Sequence, residues 1–433
     1  MLMLSILKKL IPRGQFGKNV LLLAGGTAIT QVIAVMAIPF LTRLYSPEDF
    51  GILAIYVSII YILMTVCTLR YEWAIPLPKD AQSAAHLLLL SLMILLIIVV
   101  IVTCAIFFIN NYLKLWGGLI ELQPYLWFIP LSLLGAGCYQ ILNMWAIRNR
   151  RFRPIAKTKV TQTLGQVFTQ LSVGFFSQGP IGLLLGDVIG RSSGSGILGI
   201  IAWQKDQKIL TAVNFSGIKR VFRRYYKVSL YSTGSALLNT SGLQVTPLFL
   251  AVYYGSEVAG WFALTQRVIT MPLNLLGNAI FQPFFAEAAK LVDSDPIKLR
   301  YLYLKISKKM FIFGLILALP LLFAPWLFEM IFGGTHWKTA GVYAQYMIPL
   351  LVTQIAVSPV SHLIVHERQQ WQFFWDMGRL TGVCACLLGG VILGWTDTKM
   401  ILIYSLLMSI LYGILYAMNL WALSIRIKMK CQP

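Results

Sequence analysis

Long apolar stretches separated by short polar segments dominate the sequence. A helix needs about 20 apolar residues to cross a bilayer, and twelve stretches are long enough to do so. They cover residues 19–43, 51–71, 84–109, 123–147, 158–177, 182–203, 229–253, 260–285, 309–331, 341–364, 372–395 and 399–424. The pattern predicts an all-α polytopic membrane protein with about 12 transmembrane helices. Because 158–177 and 182–203 are rich in Gln, Ser, Thr and Gly, we expect these two helices to face protein or water rather than lipid.

The composition supports this prediction. Of the 433 residues, 58% are hydrophobic and 12% are charged, whereas a soluble domain has roughly 25% charged residues. The six cysteines and four histidines show no metal-ligand spacing, so we expect no metal site and no cofactor. His362 and His366 stand four residues apart at the end of a predicted span, and we expect them at the surface.

The basic residues indicate the orientation of the chain. Of 36 Lys and Arg residues, 28 fall at the two termini and in alternate connections. These are Lys8, Lys9, Arg13, Lys18, Lys79, those within 148–159, 205–227 and 290–309, Arg368, Arg426, Lys428 and Lys430. The opposite connections hold little beyond Lys114, Lys338 and Lys399. The positive-inside rule therefore places both termini on the cytoplasmic side of an inner membrane, and we expect no nucleic-acid partner. No small-residue cleavage site follows the basic N-terminus, so we also expect no cleavable signal peptide.

The longest cytoplasmic connection divides the twelve spans into two groups of six. We predict an N-terminal six-helix bundle over 1–203, a basic linker over 204–228, a C-terminal six-helix bundle over 229–424 and a cytoplasmic tail over 425–433. Within the linker, residues 218–226 mix basic and apolar side chains. This segment is either an amphipathic helix on the anionic leaflet or a solvated basic loop that only fixes topology.

A short signature recurs in the two halves. Residues 45–51, Tyr-Ser-Pro-Glu-Asp-Phe-Gly, and residues 254–260, Tyr-Gly-Ser-Glu-Val-Ala-Gly, share Tyr, Glu and Gly at an offset of 209 residues. Each copy follows the first span of its half. We therefore predict a parallel internal repeat about an axis along the membrane normal, an architecture found in transporters.

The first copy of this signature has the residues of a helix start. Ser46 suits an N-cap, and Pro47 suits the first helical position. Glu48 and Asp49 would place negative charge at the positive end of the next helix dipole. We expect the acidic pair to cap the helix rather than to take part in catalysis.

Charged residues within or at the ends of spans are costly and usually face a cavity or a partner. The arginines could line a cationic cavity for an anionic ligand, because guanidinium binds phosphate through a fork of donors. A buried carboxylate could carry a coupling proton. The candidates are the substrate-binding Arg43, Arg70, Arg191, Arg267 and Arg379 and the ion-coupling Glu72, Asp187 and Asp376.

A purely structural role remains open for most of these residues. Arg43 and Arg70 could extend toward the headgroups. Arg267 has no carboxylate within one turn, which favours the cavity for this residue. Two arginines share a helix face with a carboxylate that could neutralise them, as Asp187 with Arg191 and Asp376 with Arg379.

Two segments carry a resemblance to a known family. Residues 39–51, Pro-Phe-Leu-Thr-Arg-Leu-Tyr-Ser-Pro-Glu-Asp-Phe-Gly, and 69–78, Leu-Arg-Tyr-Glu-Trp-Ala-Ile-Pro-Leu-Pro, resemble the N-terminal half of Wzx-type polysaccharide (O-antigen) flippases. These flippases belong to the multidrug/oligosaccharidyl-lipid/polysaccharide exporter superfamily. The turn at 254–260 is similar to the second-half turn of that family. The resemblance covers the whole chain in length and span pattern, and covers particular residues only over 38–80.

The resemblance implies two six-helix bundles around a central cavity that opens alternately to each side of the membrane. It implies an undecaprenyl-pyrophosphate-linked oligosaccharide as the substrate, moved from the cytoplasmic to the periplasmic leaflet with energy from an ion gradient. An O-antigen polymerase and a chain-length regulator would act next. The match between a pyrophosphate head and a cationic cavity is our inference from the arginines.

Two other functions compete with this one. A drug or metabolite antiporter of the same superfamily would be expected to favour an acidic cavity, whereas arginine exceeds carboxylate in these spans. A membrane-embedded polymerase or glycosyltransferase commonly has a large external loop or an acidic cluster, and the external connections here are short. The sequence contains no G-x-x-x-x-G-K-[ST] motif, so no ATP-binding loop of that type is present.

Overall fold

The computed structural model describes residues 15–112, 119–363, 365, 366 and 368–431. Within these ranges the chain forms helices and no strand. The α-helices are α1 (Gln15–Leu44), α2 (Pro47–Val66), α3 (Ala81–Tyr112), α4 (Leu119–Leu122), α5 (Phe128–Arg148), α6 (Phe152–Phe176), α7 (Ile181–Thr211), α8 (Phe215–Tyr254), α9 (Ser256–Ser294), α10 (Pro296–Ala318), α11 (Ala324–Phe332), α12 (Lys338–Tyr346), α13 (Ile348–Val357), α14 (Gln369–Ile392) and α15 (Asp397–Cys431). Short 3-10 helices cover Tyr71–Ala74, Gln123–Tyr125, Pro320–Phe323, Thr335–Trp337 and Ser358–Val360. Lys8, Lys9, Arg13 and Lys114, which the orientation argument uses, lie outside the described residues.

Each predicted span coincides with a helix or with a pair of successive helices. Among the described residues, seven helices are long and apolar enough to cross a membrane, and the number rises to nine if each of two bent pairs is one span. The bent pairs are Leu119–Tyr125 with Phe128–Arg148, at 72°, and Thr335–Tyr346 with Ile348–Val360, at 50°. The remaining predicted spans are the less apolar helices α6, α7 and α9. The prediction of an all-α, multi-pass membrane protein is confirmed.

The two spans with weak hydropathy pack closely against each other through glycine. Gly186, Gly190 and Gly194 recur every fourth residue of α7, so they lie on one face of the helix. A β-carbon on Gly186 would come within 2.3 Å of Gln170 Cγ, and one on Gly190 within 2.8 Å of Gln166 Cβ, both on α6. Small residues let helix backbones approach closely in a membrane. The polar side chains of α6 therefore face α7, as the sequence predicts.

The chain divides into two units, Met1–Gly260 and Trp261–Pro433. The first unit contains α8, whose residues pack against α2, α3 and Tyr71–Ala74. The predicted linker, 204–228, is not an extended segment. Its residues form the end of α7 and the start of α8.

The start of α8 is an amphipathic helix rather than a loop. Asn214 caps it, because the side-chain oxygen accepts a hydrogen bond from the Gly217 amide at 2.7 Å. Ile218, Val221 and Tyr225 are buried in the first unit. The opposite face exposes five basic residues: Lys219, Arg220, Arg223, Arg224 and Lys227. The helical alternative for 218–226 therefore holds, and contact with the anionic leaflet stays a prediction.

The core of the first unit lies where the connection between α2 and α3 meets the ends of three helices. Tyr71 and Ile75 of that connection are buried against Trp145 at the end of α5 and Tyr225 of α8. Arg148 closes this region, because its guanidinium donates to the carbonyl oxygens of Pro78, at 2.5 Å, and Asp80, at 3.0 Å. The connection is thus fixed by backbone hydrogen bonds as well as by apolar burial.

The second unit has its own apolar core around Phe284, Tyr303, Val360 and Leu423. These residues bring together α9, α10, α15 and the 3-10 turn Ser358–Val360. His362 lies in the same cluster, with its ring centroid 4.8 Å from that of Tyr303.

The expectation that His362 and His366 lie at the surface is wrong. They are 1% and 7% exposed. Phe284 and Tyr303 pack on the His362 ring, and the His366 ring lies 5.0 Å from that of His362 between centroids. The position of the two histidines after a helix end does not reveal these contacts.

Candidate functional site

Arg191 and Asp187 form an ion pair within α7. Arg191 Nε donates to Asp187 Oδ2 at 2.6 Å, with side chains that are 20% and 7% exposed. The guanidinium carbon lies 5.0 Å from the ring centroid of Tyr61 on α2. One edge of the guanidinium is thus neutralised by Asp187, while its face rests on an aromatic ring.

The surroundings of this ion pair fix α7 against its neighbours. A β-carbon on Gly135 of α5 would come within 1.8 Å of Ser192 Oγ, next to Arg191 in the chain. Gln162 of α6 donates to the Arg191 carbonyl at 3.2 Å. Helices α2, α5 and α6 therefore all meet α7 at the level of Arg191.

Lys159 is a second cationic side chain within the helices of the first unit. It lies on α6, half-buried, and its Nζ donates to Thr27 Oγ1 of α1 at 3.1 Å. Lys159 is not among the candidate residues above, because it also belongs to the basic residues within 148–159. Its signal was its place inside the predicted span 158–177, where a lysine is costly.

Arg70 lies in a strained turn at the end of α2. Leu69 and Arg70 have φ values of 47° and 57°, in the left-handed region that costs about 1–2 kcal/mol for a residue with a side chain. The guanidinium carbon of Arg70 lies 4.9 Å from the ring centroid of Trp73. The turn thus places a cation on an aromatic ring.

Glu72, in the same turn, is fully buried. It accepts a hydrogen bond from Thr68 Oγ1 and one from Gln140 Nε2 at 2.6 Å. Burial raises the pKa of the Glu72 carboxyl, and the hydrogen bonds and the charge of Arg70 partly offset that effect. Among the residues that the structure describes, Glu72 makes no ion pair. A proton could therefore bind there.

Arg379 lies on α14 in the second unit. Its side chain is 5% exposed, and Nη2 lies 3.2 Å from Asp376 Oδ1. The guanidinium carbon is 5.0 Å from the ring centroid of Trp375. Both predicted ion pairs thus form; Arg379 is the more buried of the two arginines, and Asp187 is the more buried of the two carboxylates.

The other two candidate arginines have different settings. Arg43 is exposed at the end of α1. Arg267 is half-buried on α9 and interacts with neighbouring groups. The structure therefore brings Arg43, Arg70 and Arg191 into the first unit, and it places Arg267 and Arg379 in the second. In the described part of the chain, no three His, Cys, Asp or Glu residues come together as a metal site would need.

A family comparison decides the class of this protein. The model of a family described as polysaccharide biosynthesis protein matches residues 40–341. The chain belongs to this family. The matched range contains four of the candidate arginines and excludes Arg379. No curated protein matches the sequence significantly.

Solved structures show the fold of this polysaccharide biosynthesis protein. The lipid II flippase MurJ, in an inward closed conformation, is similar with a TM-score of 0.70 and 14% sequence identity, over 92% of this chain and 87% of that one. An inward-facing MATE family multidrug resistance transporter of the MOP superfamily is similar with a TM-score of 0.59 and 13% identity, over 92% of this chain and 96% of that one. The fold is that of MOP-superfamily flippases and transporters. The resemblance to polysaccharide flippases is confirmed for family and fold.

Proposed function

We propose that this protein is a flippase that moves undecaprenyl-pyrophosphate-linked oligosaccharide repeat units from the cytoplasmic to the periplasmic leaflet of the bacterial inner membrane by alternating access. The observation that carries the proposal is the set of cationic side chains held within helices of a polysaccharide biosynthesis protein. Arg191 and Lys159 occupy such positions in the first unit, and Arg267 does so in the second. An anionic pyrophosphate head would compensate charge that is costly in an apolar bundle.

In this proposal the candidate arginines have different roles in binding the pyrophosphate head. Arg191 keeps part of its surface exposed beside Tyr61, so it can contact a phosphate while Asp187 orients it. Arg43, Arg267 and Arg379 would add to the positive potential that draws the head group in. The polyprenyl chain would stay in the lipid.

Glu72 is the carboxylate best suited to carry a coupling proton. Asp187 and Asp376 each already form an ion pair with an arginine. Glu72 has hydrogen-bond donors but no such partner in the described residues, and its pKa is raised by burial. A proton gradient could thus act on Glu72. The orientation with both termini in the cytoplasm and the transfer of product to an O-antigen polymerase and chain-length regulator belong to the same proposal.

Export of surface glycan in a strain that lacks the native gene tests the flippase. We expect Arg191→Ala and Arg267→Ala to abolish export at normal protein levels, and Arg191→Lys to keep part of it. Because Arg191→Ala strands a buried carboxylate, the double variant Asp187→Asn/Arg191→Ala should be tested beside it. Lys205→Ala, at an exposed position of α7, is the matched control. Full export by the folded Arg191→Ala and Arg267→Ala variants would overturn this assignment.

A drug or metabolite antiporter is the second candidate function, because the fold is shared with MATE family transporters. The two functions differ in the phenotype of a deletion strain. A flippase deletion loses glycan and keeps its drug susceptibility, whereas an antiporter deletion becomes sensitive to cationic drugs and keeps its glycan.

A further inference from the structure

The turn between α2 and α3 has a left-handed backbone at positions where no glycine stands. Leu69 and Arg70 are consecutive residues with positive φ. Among the described residues, only Arg150 is a further residue with a side chain and positive φ. Such strain persists only where the surroundings impose it, and it often marks a functional position.

The surroundings fix this turn from two sides. On one side, Ser229 of α8 donates to the Leu69 carbonyl at 2.5 Å, and the Tyr71 ring stacks on Phe222 with centroids 5.7 Å apart. On the other side, Gln140 of α5 holds the carboxylate of Glu72. Leu69, Tyr71 and Glu72 therefore anchor the turn to α8 and α5.

The anchors leave Arg70 and Trp73 to face outward together. Trp73 is 50% exposed. Arg70 is half-buried and makes no ion pair within the described part of the chain, and its Nε is buried there without a hydrogen-bond partner. The part of the guanidinium that reaches the surface can donate to an anion through its outer N–H groups. The exposed half of the Trp73 side chain is an apolar surface on which a sugar ring could pack.

We propose that Arg70 and Trp73 form a binding platform for the pyrophosphoryl-sugar head of a polyprenyl-linked glycan. Arg70 donates to the pyrophosphate, and the first sugar packs on Trp73. This proposal rests on the proposed function and names the contact that selects its substrate. In this proposal the strained backbone of the turn serves to position Arg70 and Trp73 for binding, whereas without such a role it would only destabilise the fold. The same turn stands beside the basic start of α8, whose charges favour an anionic head nearby.

Binding to the purified full-length protein in nanodiscs tests the platform. The probes are a polyprenyl pyrophosphoryl N-acetylglucosamine, the same polyprenyl pyrophosphate without sugar, and phosphatidylglycerol. We expect Arg70→Gln to weaken both pyrophosphate probes by about tenfold or more, the loss of one good contact. Trp73→Leu should weaken only the probe with sugar, and Trp73→Phe should restore part of that binding. Trp203→Leu changes a similarly exposed tryptophan on α7 and should leave both affinities unchanged.

The outcomes separate this proposal from the flippase itself. If the wild type binds the sugar probe and Trp73→Leu and Arg70→Gln bind it equally well, the platform is overturned while the flippase stands. If phosphatidylglycerol displaces the sugar probe with equal affinity, the site is a general lipid-phosphate site and the platform is again overturned. If a deletion strain exports normal glycan, the flippase fails first. Thermal midpoints within a few degrees of the wild type, measured for every variant, show that lost binding is not lost folding.

Discussion

Gly51 lies directly against the backbone of Ser256, since a β-carbon on Gly51 would come within 1.8 Å of the Ser256 carbonyl oxygen. The converse contact also exists, because a β-carbon on Gly260 would come within 1.8 Å of the Pro47 carbonyl oxygen. Ser256 and Gly260 follow Pro47 and Gly51 by the same 209 residues. The two copies of the repeated turn therefore pack against each other reciprocally, as in a two-fold symmetric interface.

Replacing Gly51 with alanine tests this contact. Alanine favours a helix over glycine by about 1 kcal/mol, but the new methyl group would overlap a backbone oxygen that cannot rotate away. We expect a net loss of about 1–3 kcal/mol, measured as a lower thermal midpoint of the full-length protein in detergent. Gly260→Ala should behave in the same way.

Gly234→Ala is the control, because a β-carbon at that α8 position meets no atom within 4 Å. We expect its midpoint to stay at or above that of the wild type. Equal midpoints for Gly51→Ala and Gly234→Ala would show that the turns do not pack as closely as described.

The repeated turn also shows which contacts can be predicted from the sequence and which cannot. The Ser46 side chain accepts from the Asp49 amide at 3.2 Å, and Asp49 accepts from the Ser46 amide at 2.9 Å. The predicted cap is confirmed, because capping depends on residues that are neighbours in the chain. The reciprocal contact with Ser256 needed the structure, because it joins positions 209 residues apart.

The strained turn could not be predicted for a similar reason. Leu69 and Arg70 carry side chains, so nothing in their identity marks a left-handed backbone. The predicted span 158–177 already contains Lys159, but its contact with Thr27 depends on the packing of α1 against α6. The ion pair of Asp187 and Arg191, by contrast, follows from helical spacing alone.

Gly186 should not tolerate a side chain, because it lies on the face of α7 that contacts α6. A β-carbon there would come within 2.8 Å of the Gln166 carbonyl oxygen, which is backbone. We expect Gly186→Ala to cost about 1–3 kcal/mol through overpacking. Gly196→Ala lies on the same helix and meets no atom within 4 Å, so it should keep the wild-type thermal midpoint. If the two variants melt alike, the glycine face of α7 is not a close contact.

Replacing Asp206, near the end of α7, should destabilise the fold. Arg151 binds both of its oxygens at 2.7 Å, and Trp145 Nε1 donates to Oδ2 at 2.8 Å. The side chains of Arg151 and Asp206 are 17% and 9% exposed, so Asp206→Asn leaves a mostly buried guanidinium without its counter-charge. We expect a loss of about 2–3 kcal/mol in stability, less than for a fully buried pair.

Asp293→Asn provides the comparison for Asp206→Asn. Asp293 pairs with Arg426 at 2.7 Å, but the two side chains are 75% and 36% exposed. Exposed pairs contribute about 0–1 kcal/mol, so the thermal midpoint should hardly change. A larger drop for Asp293→Asn than for Asp206→Asn would contradict the assignment of Asp206 as an internal anchor.

The two buried histidines should make the stability of the protein fall in mild acid. They follow the turn Ser358–Val360, outside the membrane-spanning helices. Burial lowers the pKa of His362 to about 4, and burial together with His362, Arg426 and Arg368 lowers the pKa of His366 to about 4, against an opposing effect of Asp293. In the unfolded chain each would titrate near its ordinary pKa of about 6.5.

The sign of the effect follows from linkage. Between pH 6.5 and 4 the unfolded chain binds protons that the folded chain does not, so acid favours unfolding in that window. We expect the thermal midpoint to be lower at pH 5 than at pH 7, and the difference to shrink in the double variant His362→Gln/His366→Gln. His336→Gln, at an exposed position, should keep the full difference. A midpoint that does not change between pH 7 and pH 5, or one that changes equally in the double variant, would show that these histidines are not held neutral by the fold.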